Sequence, residues 1–279
     1  VGNIQIILDS TAHVSSAMLK QHDNLHVVPL KVMLGQQQWL EDAIDNTELF
    51  HLKAATGFYP KTSQPAPGEF AAAFAPLAAR GDDIIVITLA GALSGTVQSA
   101  RMGVQLAGKN NIHVVDSGTT AAGMVHMAEF ALQQAAAGIP AGSIVAYLER
   151  MAGATHTLFI PDTLEYLHKG GRIGGAAALV GTILQIKPIL YLVKGRVAVL
   201  DKVRTRPKAV QRMVEEVKQY RNLAYIAIVH IERASEAEGL ATQMENLFPG
   251  VPLSLGNIGA VLGAHLGPGI IGIVFQEVI

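Results

Sequence analysis

Short apolar runs punctuate the first half of the chain, and each ends in a polar or glycine-containing cluster. Ile4–Leu8 ends at Asp9-Ser10-Thr11, Ile84–Leu89 runs into Ala90-Gly91-Ala92-Leu93-Ser94-Gly95-Thr96, and Ile112–Val115 ends at Asp116-Ser117-Gly118. Such runs predict strands buried on both faces. Between them, alanine-rich stretches at Pro67–Arg80, Thr96–Gly108 and Ala121–Gln134 predict helices. In the second of these, Val97, Ala100 and Val104 share one helical face. Strands alternating with helices predict a parallel sheet covered on both sides. Ligands of such sheets bind beyond the carboxyl ends of the strands, where the polar clusters fall.

The second half has a different pattern. Thr155–Ile160 predicts a strand, and a short helical piece follows through Leu167. Gly170-Gly-Arg-Ile-Gly-Gly175 opens an apolar stretch expected to be helical. Ile189–Val193 and Arg196–Val203 flank Lys194-Gly195 as a hairpin. Helix Pro207–Tyr220, strand Leu223–His230, helix Ala234–Leu247 and strand Ile270–Phe275 complete the chain. A hairpin combined with crossovers predicts a mixed or antiparallel sheet. The expected fold class is therefore α/β in two domains, 1–154 with a parallel sheet flanked by helices and 155–279 with a mixed or antiparallel sheet.

Composition narrows the function classes. The 279 residues are half apolar, enough for a sizeable core. With 21 basic and 22 acidic residues the net charge is −1, which argues against a nucleic-acid partner. There is no cysteine, so disulfides, zinc thiolate sites and a thiol nucleophile are excluded. No signal peptide is read at the start. The long uncharged run Ile258–Phe275 is broken by Pro268 and five glycines, which does not suit a membrane span. The reading is of a soluble, cytoplasmic protein.

Candidate chemistry is concentrated in four places. The stretch around Ser94-Gly95-Thr96 places hydroxyls and backbone N–H groups at a helix start. Ser94 there serves equally as an N-cap or as a ligand for a small anion. Thr62-Ser63 precedes two prolines that fix a loop and launch a helix. Asp9-Ser10-Thr11 is a third polar strand end, and spacing alone does not show whether the three converge. His265 sits in a glycine–proline frame, Gly263-Ala-His-Leu-Gly-Pro-Gly269, where it is either a structural group or a carboxylate partner.

Other sites are poorly supported. His22 and His26 are four residues apart but run into a strand-like segment, and Glu165 with His168 is a single E-x-x-H, so no metal is expected. There is no P-loop and no G-x-G-x-x-G frame, and Ser94 is not in a G-x-S-x-G elbow.

Taken in order, these motifs resemble the DegV family, fatty-acid-binding proteins that include FakB, the binding subunit of bacterial fatty acid kinase. The resemblance covers nearly the whole chain. It rests on Asp9-Ser10-Thr11, Thr62-Ser63-Gln64-Pro65, Leu93-Ser94-Gly95-Thr96, Leu164-Glu-Tyr-Leu-His-Lys-Gly-Gly-Arg-Ile173, Ile186-Lys-Pro-Ile189, Lys202-Val-Arg204 and His265-Leu-Gly-Pro-Gly269. The chain departs from the family pattern at His13, Ala66 and Leu266.

The resemblance implies a long-chain fatty acid as ligand, with no cofactor, no metal and no catalysis by this chain alone. Carried over, Thr62, Ser63, Ser94 and Gly95 hold the carboxylate and His265 completes the network. The tail would lie in the apolar second domain, along the segment after Gly175 and Ile183–Ile189. A separate ATP-dependent fatty acid kinase subunit would phosphorylate the bound acid, with Arg172 and Arg204 receiving phosphate or partner. Membrane contact would be transient, not spanning. Two other readings stay open: an acyl hydrolase using Ser94 and His265, and a lipid-responsive regulatory protein.

Overall fold

The computed structural model describes residues 3–181 and 186–279. In chain order the elements are β1 (Ile4–Asp9), α1 (Ser16–Gln21), β2 (Leu25–Val28), β3 (Lys31–Leu34), β4 (Gln37–Leu40), α2 (Asn46–Thr56), β5 (Lys61–Ser63), α3 (Pro67–Ala79), β6 (Asp83–Thr88), α4 (Thr96–Ala107), β7 (Ile112–Asp116), α5 (Ala122–Ala136) and α6 (Ala141–Ala154). They continue as β8 (Thr155–Ile160), α7 (Glu165–Lys169), β9 (Lys187–Val193), β10 (Arg196–Val203), α8 (Arg206–Val217), β11 (Leu223–His230), α9 (Ala234–Leu247), β12 (Leu253–Asn257), α10 (Ala260–Leu266) and β13 (Ile271–Glu277). Among the described residues no helix is long and apolar enough to cross a membrane.

The chain divides into two compact units. One holds the residues up to Lys31 together with Ser63–Gly153, the other Val32–Thr62 together with Ala154–Ile279. Sequence order alone would put Val32–Thr62 in the first domain. Its contacts explain why it lies with the second unit instead. Val261 N–H donates to Glu41 Oε1 (3.1 Å), Asn46 Nδ2 donates to the Ile258 carbonyl (2.7 Å), and the Phe50 ring meets Tyr166 edge-on at 5.8 Å. None of these distant pairings is visible in local pattern.

In the first unit, β2-β1-β6-β7 form an all-parallel sheet. Alternation along the strands divides its apolar residues between two cores. Ile6, Leu8, Ile85 and Ile87 pack with residues of α5 and α6 such as Met127 and Leu148, while Ile7, Ile84 and Val86 pack with Phe70, Phe74 and Ala100 of α3 and α4. Burial on both faces is why these strands are apolar at successive positions. Register places Thr88 opposite Asp116 and Asp9 opposite Val28, so the carboxyl ends of the strands share one edge of the sheet.

The second unit has a six-stranded sheet, β10-β9-β8-β13-β11-β12, antiparallel except for β11 with β12. One face is covered by α8 and α9 through Met213, Val214, Leu240 and Met244. A small sheet β4-β3-β5 accompanies it. The expected hairpin turns at Lys194-Gly195, both with positive φ (48° and 72°), as a two-residue turn between strands requires. The two-domain α/β class is as the sequence implies. The glycine-rich stretch does not form the expected α-helix: Gly174–Leu179 is a 3-10 segment, and a Cβ at Gly174 would strike the Val197 carbonyl oxygen. Of the expected tunnel wall Ile183–Ile189, residues 183–185 lie outside the described residues, and Lys187–Ile189 begin β9.

Candidate functional site

In the first unit the candidate residues are Ser63, Ser94 and Gly95. The helix expected from Gly95 begins at Thr96, with Gly95 as the N-cap position and no side chain bonded there as a cap. Ser94 takes over part of that role, since its Oγ accepts from Thr96 N–H (3.3 Å) and lies 2.9 Å from Thr96 Oγ1. Gly95 makes room for a neighbour: a Cβ there would lie 2.5 Å from Gln64 Oε1. Ser99, one turn into α4, donates from Oγ to the Pro65 carbonyl at 2.5 Å and ties the Thr-Ser-Gln-Pro loop to the helix. Pro67 occupies the first turn of α3, and Glu69 Oε2 accepts from Ala66 N–H at 2.7 Å.

Some of the polar groups at these strand ends are already committed. Gly91 N–H donates to both Asp116 carboxylate oxygens, at 3.0 and 3.1 Å. Asp9 is fully buried and accepts from Thr11 N–H, Thr11 Oγ1 and Leu89 N–H. Burial pushes its carboxyl up to about 6 even though all three donors favour the anion. Asp9 and Thr11 therefore brace the strand ends. The N-terminus of α4 with the Ser94 hydroxyl suits a small anion.

In the second unit the candidates are Thr62, His265, Arg172 and Arg204. The structure brings two of them together: Thr62 Oγ1 lies 2.7 Å from His265 Nε2. Burial, and then the Arg172 guanidinium, hold the imidazole down to about 4, so it is neutral at physiological pH. Its Nδ1 is buried without a hydrogen-bond partner among the described residues. Gly170 admits the ring, because a Cβ at that position would strike Nδ1. Arg172 Nη1 donates to the Gly170 carbonyl at 2.6 Å. Arg204 is exposed just before α8.

A neutral histidine has one N–H to give. Donation from Nε2 to Thr62 Oγ1 would turn the threonine O–H outward as a donor, which suits a carboxylate ligand. The same facts make His265 a poor general base, since proton abstraction near neutrality favours a pKa near the operating pH.

Sequence reasoning missed the frame around His265. The turn after α10 uses Gly267 and Gly269 at φ 75° and 77°; a Cβ at Gly267 would strike the Tyr166 ring and one at Gly269 the Asp162 carboxylate. Arg206 pins that turn. It donates from Nη2 to the Gly269 carbonyl (3.0 Å), from Nη1 to Asp162 Oδ1 (2.6 Å), and from Nε to both Glu236 oxygens (2.9 and 2.8 Å). Arg233 also bonds Asp162. The glycine–proline frame around His265 was plain in the sequence, but nothing there pointed to Arg206.

As for metals, His22 ends α1 and His26 lies in β2, so their spacing does not place them on one helix face. Among the described residues no group of three or more His, Asp or Glu side chains is placed to hold a metal ion.

Comparison with known proteins agrees with this fold. The family model described as "Uncharacterised protein, DegV family" matches residues 3–278. A DegV domain-containing protein of Streptomyces coelicolor is 36% identical over 280 residues, covering 99% of each chain. Among solved structures, a DegV family protein from Thermus thermophilus described by its fatty acid binding has a TM-score of 0.88 at 31% identity, covering 99% of this chain and 100% of that one. DegV of Bacillus subtilis, a fatty acid binding protein, also gives 0.88, at 30% identity over 100% of both chains.

Proposed function

Because the chain belongs to the DegV family, we propose that it binds a long-chain fatty acid and presents it to a separate ATP-dependent kinase subunit, without catalysing a reaction alone. In this reading the Thr62, Ser63 and Ser94 hydroxyls and the Gly95 N–H hold the carboxylate, and His265 orients Thr62. Residues 1–154 supply most of the carboxylate-binding loops, and residues 155–279 enclose the acyl chain. Arg172 and Arg204 receive the phosphoryl group or the partner, because an arginine fork matches phosphate geometry. The protein acts in the cytoplasm, where a chain without cysteine forgoes nothing.

The observation that carries the reading is the 2.7 Å contact between Thr62 and a neutral, partly buried His265. A hydroxyl that accepts from the Nε2–H of a neutral imidazole keeps its own O–H to give to an anion, whereas a hydrolase would need a histidine that takes protons. Relatives at 31% and 30% identity are fatty acid binders, which supports the choice of anion. Burial of the tail contributes about 0.8 kcal/mol per methylene, on the order of 11 kcal/mol gross for a palmitoyl chain. The polar groups need only orient the head group.

Calorimetric titration with palmitate, on the wild-type chain and Ser94→Ala, tests this reading. The expected result is one fatty acid per chain, bound roughly tenfold more weakly by the variant. No uptake by the wild type, or acyl-ester hydrolysis that disappears in Ser94→Ala, overturns it.

A further inference from the structure

The loop Leu89–Gly95 joins β6 to α4 and carries Ser94. Each of its first three backbone N–H groups is held by the neighbouring strands or the loop beyond them. Leu89 N–H donates to Asp9 Oδ2 at the end of β1 (2.6 Å), and Ala90 N–H donates to the Thr119 carbonyl (2.8 Å). Gly91 N–H is shared by the two oxygens of Asp116 at the end of β7. Since β6 lies between β1 and β7, a carboxylate grips the loop from either side. The Ala90 carbonyl then accepts from Leu93 N–H (2.9 Å) and Ser94 N–H (3.3 Å), which forms the turn on which Ser94 stands.

Both carboxylates are themselves fixed. Asp9 is fully buried, and its Oδ1 accepts from Thr11 N–H and Oγ1. Asp116 Oδ1 also accepts from Gly118 N–H at 3.0 Å. A Cβ at Gly91 would lie 2.6 Å from Asp116 Oδ2 and 2.9 Å from Val97 Cγ1, so the glycine is required for the grip to close. Burying a carboxylate is costly, and a hydroxyl could accept a single N–H with less desolvation. What a carboxylate adds is stronger, charge-assisted hydrogen bonding from two oxygens at once, and hence a tighter backbone.

We infer that Asp9 and Asp116 are positioning residues, which fix the Leu89–Gly91 backbone and thereby set where the Ser94 hydroxyl and the N-terminus of α4 meet the ligand's carboxylate. Neither touches the ligand. The inference rests on the fatty-acid reading, and its test separates the two.

The test uses [1-13C]palmitate bound to the whole protein, with its carboxyl resonance recorded for the wild type, Asp9→Asn, Asp116→Asn and Asp82→Asn. Asp82 is a buried acid just before β6, at the opposite edge of the same sheet, paired with Gln5 and Arg80. The expected result is a shifted carboxyl resonance and roughly tenfold weaker binding in Asp9→Asn and Asp116→Asn. Asp82→Asn should lower the melting temperature yet leave the resonance in place. Should Asp9→Asn not fold, Asp116→Asn, in a less buried position, decides the matter alone. A wild-type resonance and affinity in the folded Asp variants overturns the inference and leaves the fatty-acid reading standing. Absence of palmitate from the wild type overturns both.

Discussion

Thr62 Oγ1 and His265 Nε2, 203 positions apart in the chain, lie 2.7 Å from one another. The contact leaves a threonine hydroxyl oriented by an imidazole that carries no charge. Replacing Thr62 by valine keeps the shape and removes the donor. Hydrogen bonds to charged groups contribute about 1.5–3 kcal/mol, so palmitate affinity should fall by about tenfold to a hundredfold. Calorimetric titration checks this, and an unchanged affinity would take Thr62 out of the site.

Acid should act through His265. Its folded value of about 4 lies below the ordinary 6.5, so between these values the unfolded chain binds a proton that the folded chain does not. Its contribution to stability is present above pH 6.5 and lost as pH falls toward 4, by about 3 kcal/mol over that window. Asp9 works in the opposite sense. Its value is raised from 3.8 to about 6, so it favours the fold at low pH and that gain is lost as pH rises through 6. The two slopes oppose each other between about pH 4 and 6, and a wild-type melting curve alone conceals both. His265→Gln separates them: the melting temperature of the variant minus that of wild type should rise as pH falls from 6.5 to 4. A difference that does not vary with pH would contradict the assignment.

Two glycine substitutions should move stability in opposite directions. Alanine at Gly170 would drive its Cβ into His265 Nδ1 and to 3.0 Å from the Tyr166 carbonyl oxygen. The ring must shift, at a cost of about 1–3 kcal/mol and with weaker palmitate binding. Gly239 is exposed within α9, and a Cβ added there would meet nothing within 4 Å. Gly239→Ala should therefore stabilise by about 0.5–1 kcal/mol. Urea denaturation measures both.

Arg206→Lys tests the frame behind His265. The Arg206 side chain is 15% exposed and spans Glu236, Asp162 and the Gly269 carbonyl, which a single ammonium cannot match. A loss of about 1–3 kcal/mol in urea denaturation is expected, larger than an exposed pair would give. A loss within error would mean the network is dispensable.

Much of the fold was legible because it is written in local pattern. Buried parallel strands must be apolar at successive positions, which is how Ile4–Leu8 and Ile84–Leu89 declared themselves. The Lys194-Gly195 turn announced the hairpin by the backbone it needs. What escaped was set by distant partners. The membership of Val32–Thr62 in the second unit depends on Asn46 and Glu41 meeting residues more than 200 positions away. The glycines at 174 and 175 looked like a helix start because the Val197 carbonyl packed against Gly174 was not visible. The site was legible in residue type but not in bonding. Nothing in the sequence showed that the Gly91 N–H is occupied by Asp116, and the pairing of Thr62 with His265 required the folded chain.

The central claim is that an oriented hydroxyl recognises the acidic end of a long apolar tail. Native mass spectrometry of the protein exposed to equal amounts of palmitate and 1-hexadecanol tests it most directly. The account predicts a one-to-one complex carrying palmitate and little or none carrying the alcohol. Equal uptake of the two, or uptake of neither, would contradict it.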